Sequence, residues 1–482
     1  MQIHLLDLSI FVLYMIAMIG VGIYFMRKNK SNEDYFVGGR NMSAGHIGLS
    51  VVATDVGGGF SIGLGGLGFV MGLSGSWMLF SGLIGAWLSV VFLIPKIYPI
   101  AKKHQFLTFP ETLNFHYNKK VALVAGIISL IGYIGFTSSQ ILAGAKLASA
   151  TFPNFTIKEA ALLMGVIAVV YTVIGGIKAV IYTDTIQWMI LMVGLCFIGI
   201  PIAYFKIGGW DVIQQSLPAE FLSFTNVSWL TLFNWLITIV PIWFVGMTLY
   251  QRIYACRDEK TAKKAWKIAG LFEWPVMAFM GVILGMFARV AFNQGMFTGI
   301  GYAPGSEMDA ELGLPLLLTT VLPIGFIGLM MSAYFSAIMS TADSCLMAAS
   351  GNFMTDILGY FKGEGKYNQV RLSQFVTLII GALAIVLATM MQNVLDLMLY
   401  SYAFMVSGLL VPVLGALICK KPSSKAALIA MILGGGTTLI LILSKIELPF
   451  SLDANFFGIL IATISFIVVQ NYSNYKQKTW QN

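Results

Sequence analysis

Ala53-Thr54-Asp55-Val56-Gly57-Gly58-Gly59-Phe60 stands in the middle of an apolar run that extends from residue 44 to residue 70. Such a run is long enough to cross a bilayer, whose hydrocarbon core of about 30 Å takes roughly 20 helical residues. Three consecutive glycines, each costing about 1 kcal/mol against alanine in a helix, interrupt it beside a carboxylate. The stretch therefore reads as a membrane helix broken near its middle, where carbonyls released from the helix can face a cation.

The rest of the chain reads as membrane in the same way. Fifty-eight per cent of the 482 residues are apolar and only 10% are charged, and the mean hydropathy is +0.83, so lipid rather than water is the solvent for most side chains. Thirteen segments are long and apolar enough to span: 5 to 26, 44 to 70, 76 to 98, 121 to 150, 158 to 176, 180 to 204, 229 to 252, 266 to 291, 314 to 350, 371 to 391, 394 to 419, 425 to 444 and 454 to 472. With the N-terminus outside, the alternate loops counted as cytoplasmic hold 24 of the 29 basic residues, Arg40, Lys102, Lys178, Arg252, Lys366 and Lys421 among them. The positive-inside rule selects that orientation, and an odd count then leaves the C-terminus inside as well. The net charge of +8 is spread between apolar runs, which gives no surface for nucleic acid. Basic residues follow rather than precede the first apolar stretch, so it reads as a retained helix and not a signal peptide. Cys196, Cys256, Cys345 and Cys419 are scattered without metal or disulfide spacing. No linker or charge block divides the chain, which reads as one domain.

Two further features point to transport. Pro241 lies near the middle of the segment 229 to 252, where it removes a backbone donor and clashes with the preceding turn. A second interrupted helix five segments after the first is the pattern of inverted repeats with a site at the bilayer midplane. Ala337, Ser340, Thr341 and Ser344 recur at i, i+3, i+4 and i+7, so they share one helical face, and Ser332 and Ser336 extend the stripe. Asp55, Asp184 and Asp343 lie within or at the edge of apolar segments. A carboxylate at the bilayer centre costs about 2.5 to 3.5 kcal/mol and marks an ion path or a charged partner. A solute beside the break finds walls in Phe60 and Trp243, with Trp77 and Tyr133 as further aromatic candidates. Lys146 and Arg289 are expected to snorkel to the outer interface. No G-x-S-x-G, H-E-x-x-H or P-loop pattern is present, no filter-forming repeat suggests a channel, and the short tail after the last segment leaves no room for a signalling domain. The reading is a transporter and not an enzyme.

At this point the residues resemble the sodium:solute symporter family. Val166 to Asp184 (VIAVVYTVIGGIKAVIYTD) with the continuation to Gln187, Ala337-Ile-Met-Ser-Thr-Ala-Asp-Ser344, and Asp34-Tyr-Phe-Val-Gly-Gly-Arg40 are similar to three motifs of that family, in the right order. The resemblance implies an all-α, LeuT-type fold of 13 transmembrane helices. An extra N-terminal helix (5–26) precedes a five-plus-five inverted repeat (44–204 and 229–419), and two C-terminal helices (425–472) follow. It implies sodium-coupled symport of a small organic solute, amino-acid-like or choline-like, across the cell inner membrane, with sodium as coupling ion and no other cofactor. Proton coupling on the same fold is the alternative, a sodium leak a more remote one. No obligate protein partner is evident. The family's common sodium site maps onto the carbonyls of Ala53, Val56 and Ala337 and the hydroxyls of Ser340 and Thr341. A second cation site maps onto Asp184, Ser340, Asp343 and Ser344, with Asp343 standing where some members have serine. Asp55 is read as serving ion coupling or the substrate, and Gly57, Gly58, Phe60 and Trp243 as lining the solute site. Asp55 is shared with the proline-type branch and the Val-Gly-Gly-Gly-aromatic run with the choline-type branch, which has Trp in place of Asp55.

Overall fold

The computed structural model describes residues 4–26, 37–55, 57–152, 155–362 and 369–479. Every regular element among them is helical, and the one exception is an isolated parallel bridge between Met42 and Cys256. The helices are α1 Leu5–Met26, α2 Ala44–Asp55, α3 Gly57–Met71, α4 Trp77–Leu88, α5 Ile94–His104, α6 Phe109–His116 and α7 Lys119–Thr151. They continue with α8 Ile157–Gly194, α9 Ile200–Lys206, α10 Gly209–Ser216, α11 Trp229–Val245, α12 Met247–Ala255, α13 Glu259–Leu271 and α14 Ala278–Asn293. The last six are α15 Ala310–Val321, α16 Phe326–Gly351, α17 Gln369–Met390, α18 Val394–Ile418, α19 Ser424–Ser444 and α20 Ala454–Thr479. Eight helical runs among the described residues are long and apolar enough to cross a membrane, and the bent pair α11 and α12 makes a ninth.

The long run α8 cannot be one straight rod. Tyr171 Oη lies 3.4 Å from Thr183 Oγ1, whereas twelve residues of straight α-helix advance by about 18 Å. The run is therefore sharply bent between them.

The second break is not at Pro241. Helix α11 runs unbroken through Pro241 and ends at Val245, and α12 leaves it at 42° across Gly246. Proline at 241 frees the carbonyl of Ile237, but Asn455 Nδ2 on α20 donates to it at 3.4 Å and to Thr238 Oγ1 at 2.8 Å. At Gly246, with ψ 114°, the backbone does leave the helix. The bond lost between the Phe244 carbonyl and the Thr248 amide is replaced by two tyrosines. Tyr250 Oη donates to the Phe244 carbonyl at 2.8 Å, and the Thr248 amide donates to Tyr133 Oη at 3.1 Å. A break whose polar groups are satisfied in this way is stable inside protein.

The apolar segment 314 to 350 likewise divides. Helix α15 ends before Pro323 and Gly325, whose φ is +88°, and α16 begins at Phe326 with its first amides capped from another helix: Asp7 Oδ1 of α1 accepts from Gly325 N at 2.8 Å and Gly328 N at 2.7 Å. Helix α3 packs closely on α14 because glycines face the contact; a Cβ on Gly68 would lie 2.2 Å from the Val282 carbonyl, and one on Gly285 2.1 Å from that of Gly65. Small residues let membrane helices approach to this distance.

Lys146 does not snorkel. It is wholly buried, 2.5 Å from Asp309 and 2.6 Å from Glu311, and Glu311 also accepts from the amides of Val394 and Leu395 at 2.9 Å each. One charge cluster thus ties α7, α15 and the N-terminus of α18 together. The carboxylates on α15 and before it supply the partners that the interface would otherwise have supplied.

Candidate ion and solute site

The break between α2 and α3 creates the first group of oxygens. In a continuous helix the Ala53 carbonyl would accept from the amide of Gly57. Here Gly57 has φ +37° and the carbonyl accepts instead from Thr341 Oγ1 of α16, at 3.0 Å. The same hydroxyl is 3.2 Å from the Ala337 carbonyl. Three of the oxygens assigned from sequence to a sodium ion are therefore in contact across the break. Gly57 is required there, because a Cβ would come within 2.0 Å of Thr341 Oγ1. Val56, and the surroundings of Gly58, Gly59 and the Phe60 side chain, lie outside the described residues.

Ser340, one position along α16, points elsewhere: its hydroxyl donates to Asp184 Oδ1. Ser50 of α2 donates to Asp184 Oδ2 at 2.5 Å. Between these groups lies Arg252, counted from sequence among the basic residues of a cytoplasmic loop but wholly buried. The bend at Gly246 carries α12 back against α2 and α16, so the guanidinium enters the bundle. It donates to Ser50 Oγ at 3.1 Å, Thr54 Oγ1 at 2.5 Å, Ser344 Oγ at 2.8 Å and the Thr248 carbonyl at 3.2 Å, and lies 3.4 Å from Asp184. The four residues read as a second cation site thus divide. Asp184, Ser340 and Ser344 share one network with a guanidinium at its centre, whereas Asp343 turns to another side of α16 and accepts from Thr172.

Asp55, the last residue of α2, is buried. Its carboxyl is in hydrogen-bond contact with Glu273 and accepts from Tyr402 Oη at 3.4 Å. Glu273 projects from the turn Phe272–Met277 between α13 and α14 and was not singled out from the sequence, although it lies in an apolar segment and the cost of an intramembrane carboxylate flags it. Arg252 was missed for another reason: it closes a helix in a basic stretch, where a solvated loop is the ordinary reading.

The proposed solute walls are placed as follows. Trp243 is fully buried, edge-on to Trp266 at 6.4 Å, and fills the notch over Gly85, whose Cβ would lie 2.3 Å from the indole. Tyr133 serves the break at Gly246, as described. Trp77 stacks on Trp274 at 6.4 Å and donates to the Phe224 carbonyl at 2.9 Å.

Residues 35–434 match the model of the sodium:solute symporter family. The chain is similar to the sodium/glucose cotransporter of Vibrio parahaemolyticus, at 26% identity covering 92% of this chain and 86% of the relative. It is similar to the sodium/proline symporter of Escherichia coli K12, also at 26%, covering 89% and 86%, and to the high-affinity proline transporter PutP of Bacillus subtilis at 27%, covering 86% and 88%. Among solved structures, a Na+-coupled sialic acid symporter in a substrate-bound outward-open state shares the fold, with a TM-score of 0.79 at 21% identity and 98% of each chain covered.

Proposed function

The chain belongs to the sodium:solute symporter family, and we propose that within it the broken helix α2/α3 and the stripe on α16 hold the coupling sodium. It is a sodium-coupled symporter of a small solute. The ligands in this reading are the carbonyls of Ala53, Val56 and Ala337 with the hydroxyl of Thr341 and, once it is released from Asp184, that of Ser340. The observation that carries it is the Thr341 hydroxyl, 3.0 Å from the Ala53 carbonyl across the break. A hard cation seated there replaces weak hydrogen bonds by oxygen ligation and ties α2 to α16, so ion occupancy controls how those helices move.

The proposal extends to architecture and solute. Thirteen spans, with the N-terminus outside and the C-terminus in the cytoplasm of a cell bounded by this inner membrane, agree with the basic loops and with the bend inside α8. An extra helix (5–26), repeats 44–204 and 229–419, and two trailing helices (425–472) put the breaks at Asp55/Gly57 and Gly246 in the first helix of each repeat. The solute is amino-acid-like and sits beside the first break, near Asp55, Gly57, Gly58, Phe60 and Trp243. Proline-carrying relatives and the aspartate shared with the proline-type branch support this class. Asp184, Ser340 and Ser344 form a second cation site whose charge is carried by Arg252 in the present arrangement, and Asp343, turned to Thr172, joins it only if its side chain swings round.

Sodium-driven uptake into proteoliposomes tests the site. Each charge moved across 100 mV contributes about 2.3 kcal/mol. Thr341→Ala should raise the sodium concentration for half-activation at least about tenfold, the equivalent of about 1.4 kcal/mol, and Thr341→Ser should restore it. Wild-type sodium dependence in Thr341→Ala would show that the stripe on α16 is only a packing surface.

A further inference from the structure

We propose that a cavity on the cytoplasmic face, lined by Arg40, Lys102 and Arg257, binds a phosphate group, carried by an anionic lipid headgroup or by a soluble phosphate. The inference takes from the reading above only the placement of these loops on the cytoplasmic side.

The cavity, of about 210 Å³, is lined by Arg40 in the turn before α2, by Tyr98, Lys102 and Gln105 at the end of α5, and by Tyr254 and Arg257 at the end of α12 and just beyond it. Bonds to backbone carbonyls hold these pieces together. The Met42 amide donates to the Ala255 carbonyl at 3.0 Å, Tyr98 Oη to that of Cys256 at 3.0 Å, and Lys102 Nζ to that of Arg257 at 3.0 Å. Three cations thus reach one cavity from three segments of the chain, and no carboxylate lines it among the described residues. The acids nearby are turned to other groups. Glu111 accepts from the amides of Leu107 and Thr108 at 2.6 and 2.9 Å, Asp258 caps α13 through the Thr261 amide at 2.7 Å, and Glu259 pairs with Lys263 at 2.6 Å. Asp258 also lies 3.4 Å from Arg257, but the two side chains are 48% and 64% exposed, and an exposed pair of this kind contributes little.

Each cation is oriented by its surroundings. Lys102 Nζ stands 5.7 Å over the Tyr98 ring, Arg40 Nη2 donates to the Phe106 carbonyl at 2.8 Å, and Arg257 Nε donates to Thr261 Oγ1 at 3.2 Å. An ammonium has three N–H donors and a guanidinium five, so Lys102 and Arg257 keep donors beyond those their protein partners use. Like charges gathered in this way gain from an anion with several acceptor oxygens. Phosphate is such an anion: guanidinium forks bind it through paired bonds and an ammonium as a point charge. A volume of about 210 Å³ is about seven times the ~30 Å³ share of one water, yet below the ~300–1,000 Å³ of sites that enclose a whole organic ligand. It takes the phosphate and leaves the rest of the molecule outside, as a headgroup at the anionic cytoplasmic leaflet requires. An anion shared by Arg40 and Arg257 ties the start of α2 to the end of α12, the inner halves of the two interrupted helices.

Two measurements on the purified full-length protein in neutral detergent separate the sources. Native mass spectrometry compares retention of phosphatidylglycerol with that of phosphatidylcholine, and thermal unfolding with inorganic phosphate, against chloride, reads the soluble source. Phosphatidylglycerol preferred by wild type and not by Lys102→Gln/Arg257→Gln assigns the site to a lipid headgroup. Stabilisation by inorganic phosphate that the double variant loses, without a lipid preference, assigns it to a soluble phosphate. Each single variant should weaken the anion about fivefold, as one basic residue at a membrane surface does. Lys102→Arg, which keeps the charge, should retain it, so the result does not hang on the folding of the double variant. Lys119→Gln/Lys120→Gln removes two basic residues that do not line the cavity and should bind as wild type. Equal loss in that control, or wild type and Lys102→Gln/Arg257→Gln alike toward both anions, would overturn the site. Binding in detergent is read without sodium and without sidedness, so its outcome stands apart from that of the transport reading.

Discussion

Arg252→Met tests the network around Asp184 most directly. The guanidinium and the carboxylate are both wholly buried and 3.4 Å apart. Methionine keeps much of the packing volume but leaves Asp184 with hydroxyl donors only, from Ser50 and Ser340. Removing one partner of a buried pair costs about 3–5 kcal/mol, because the remaining charge stays desolvated. Asp184→Asn in the same background removes that charge, so the double variant should recover most of the loss, with a coupling of about 2–3 kcal/mol in the cycle. Sodium gives an independent readout. With the guanidinium gone, Asp184, Ser340 and Ser344 are free to hold an ion, and ligand at 100 times its dissociation constant stabilises by about 2.7 kcal/mol. Thermal unfolding of the detergent-solubilised protein should therefore show a larger sodium-dependent stabilisation, relative to potassium, in Arg252→Met than in wild type. That excess should vanish in the double variant. Additive single effects, within about 0.5 kcal/mol, together with identical sodium responses, would refute the argument that Arg252 stands in for a cation at Asp184.

Two further perturbations follow from the breaks. Gly57→Ala puts a left-handed penalty of about 1–2 kcal/mol on the chain and drives a Cβ to 2.0 Å from Thr341 Oγ1. It should weaken sodium activation as strongly as Thr341→Ala does, and uptake at wild-type sodium affinity would show that the hydroxyl is not a ligand. Asn455→Ala orphans the carbonyl that Pro241 frees at Ile237 and should cost about 1 kcal/mol in the thermal unfolding of the solubilised protein. In a Pro241→Ala background, where the helix supplies its own donor, that cost should largely disappear; an unchanged cost would mean that Asn455 acts through Thr238 alone.

The first break was legible because its cause is local: three glycines beside a carboxylate disfavour a helix whatever surrounds them. Pro241 was misleading because its consequence is not local. The missing donor is supplied by Asn455, more than two hundred residues away, while the bend falls at Gly246, whose severed hydrogen bond is taken up by Tyr133 and Tyr250. The polar stripe on α16 was visible in its spacing, but its division was not. Spacing alone does not say that Ser340 turns to Asp184 while Thr341, the next residue, turns to Ala53.

Charge was the least legible property, for a general reason. In water a lone arginine or glutamate is unremarkable, so a basic stretch at a helix end reads as a loop. In lipid each must find its counterpart through the fold. Arg252 meets Asp184 across 68 positions of sequence, and Lys146 meets Asp309 and Glu311 across 163 and 165. Asp55 and Glu273 meet across 218 positions, and neither has an ion-pair partner among the described residues. The first encounter sets one charge against one, whereas Lys146 faces two carboxylates and Asp55 faces Glu273, so in lipid the fold and not the local sequence decides how each buried charge is met.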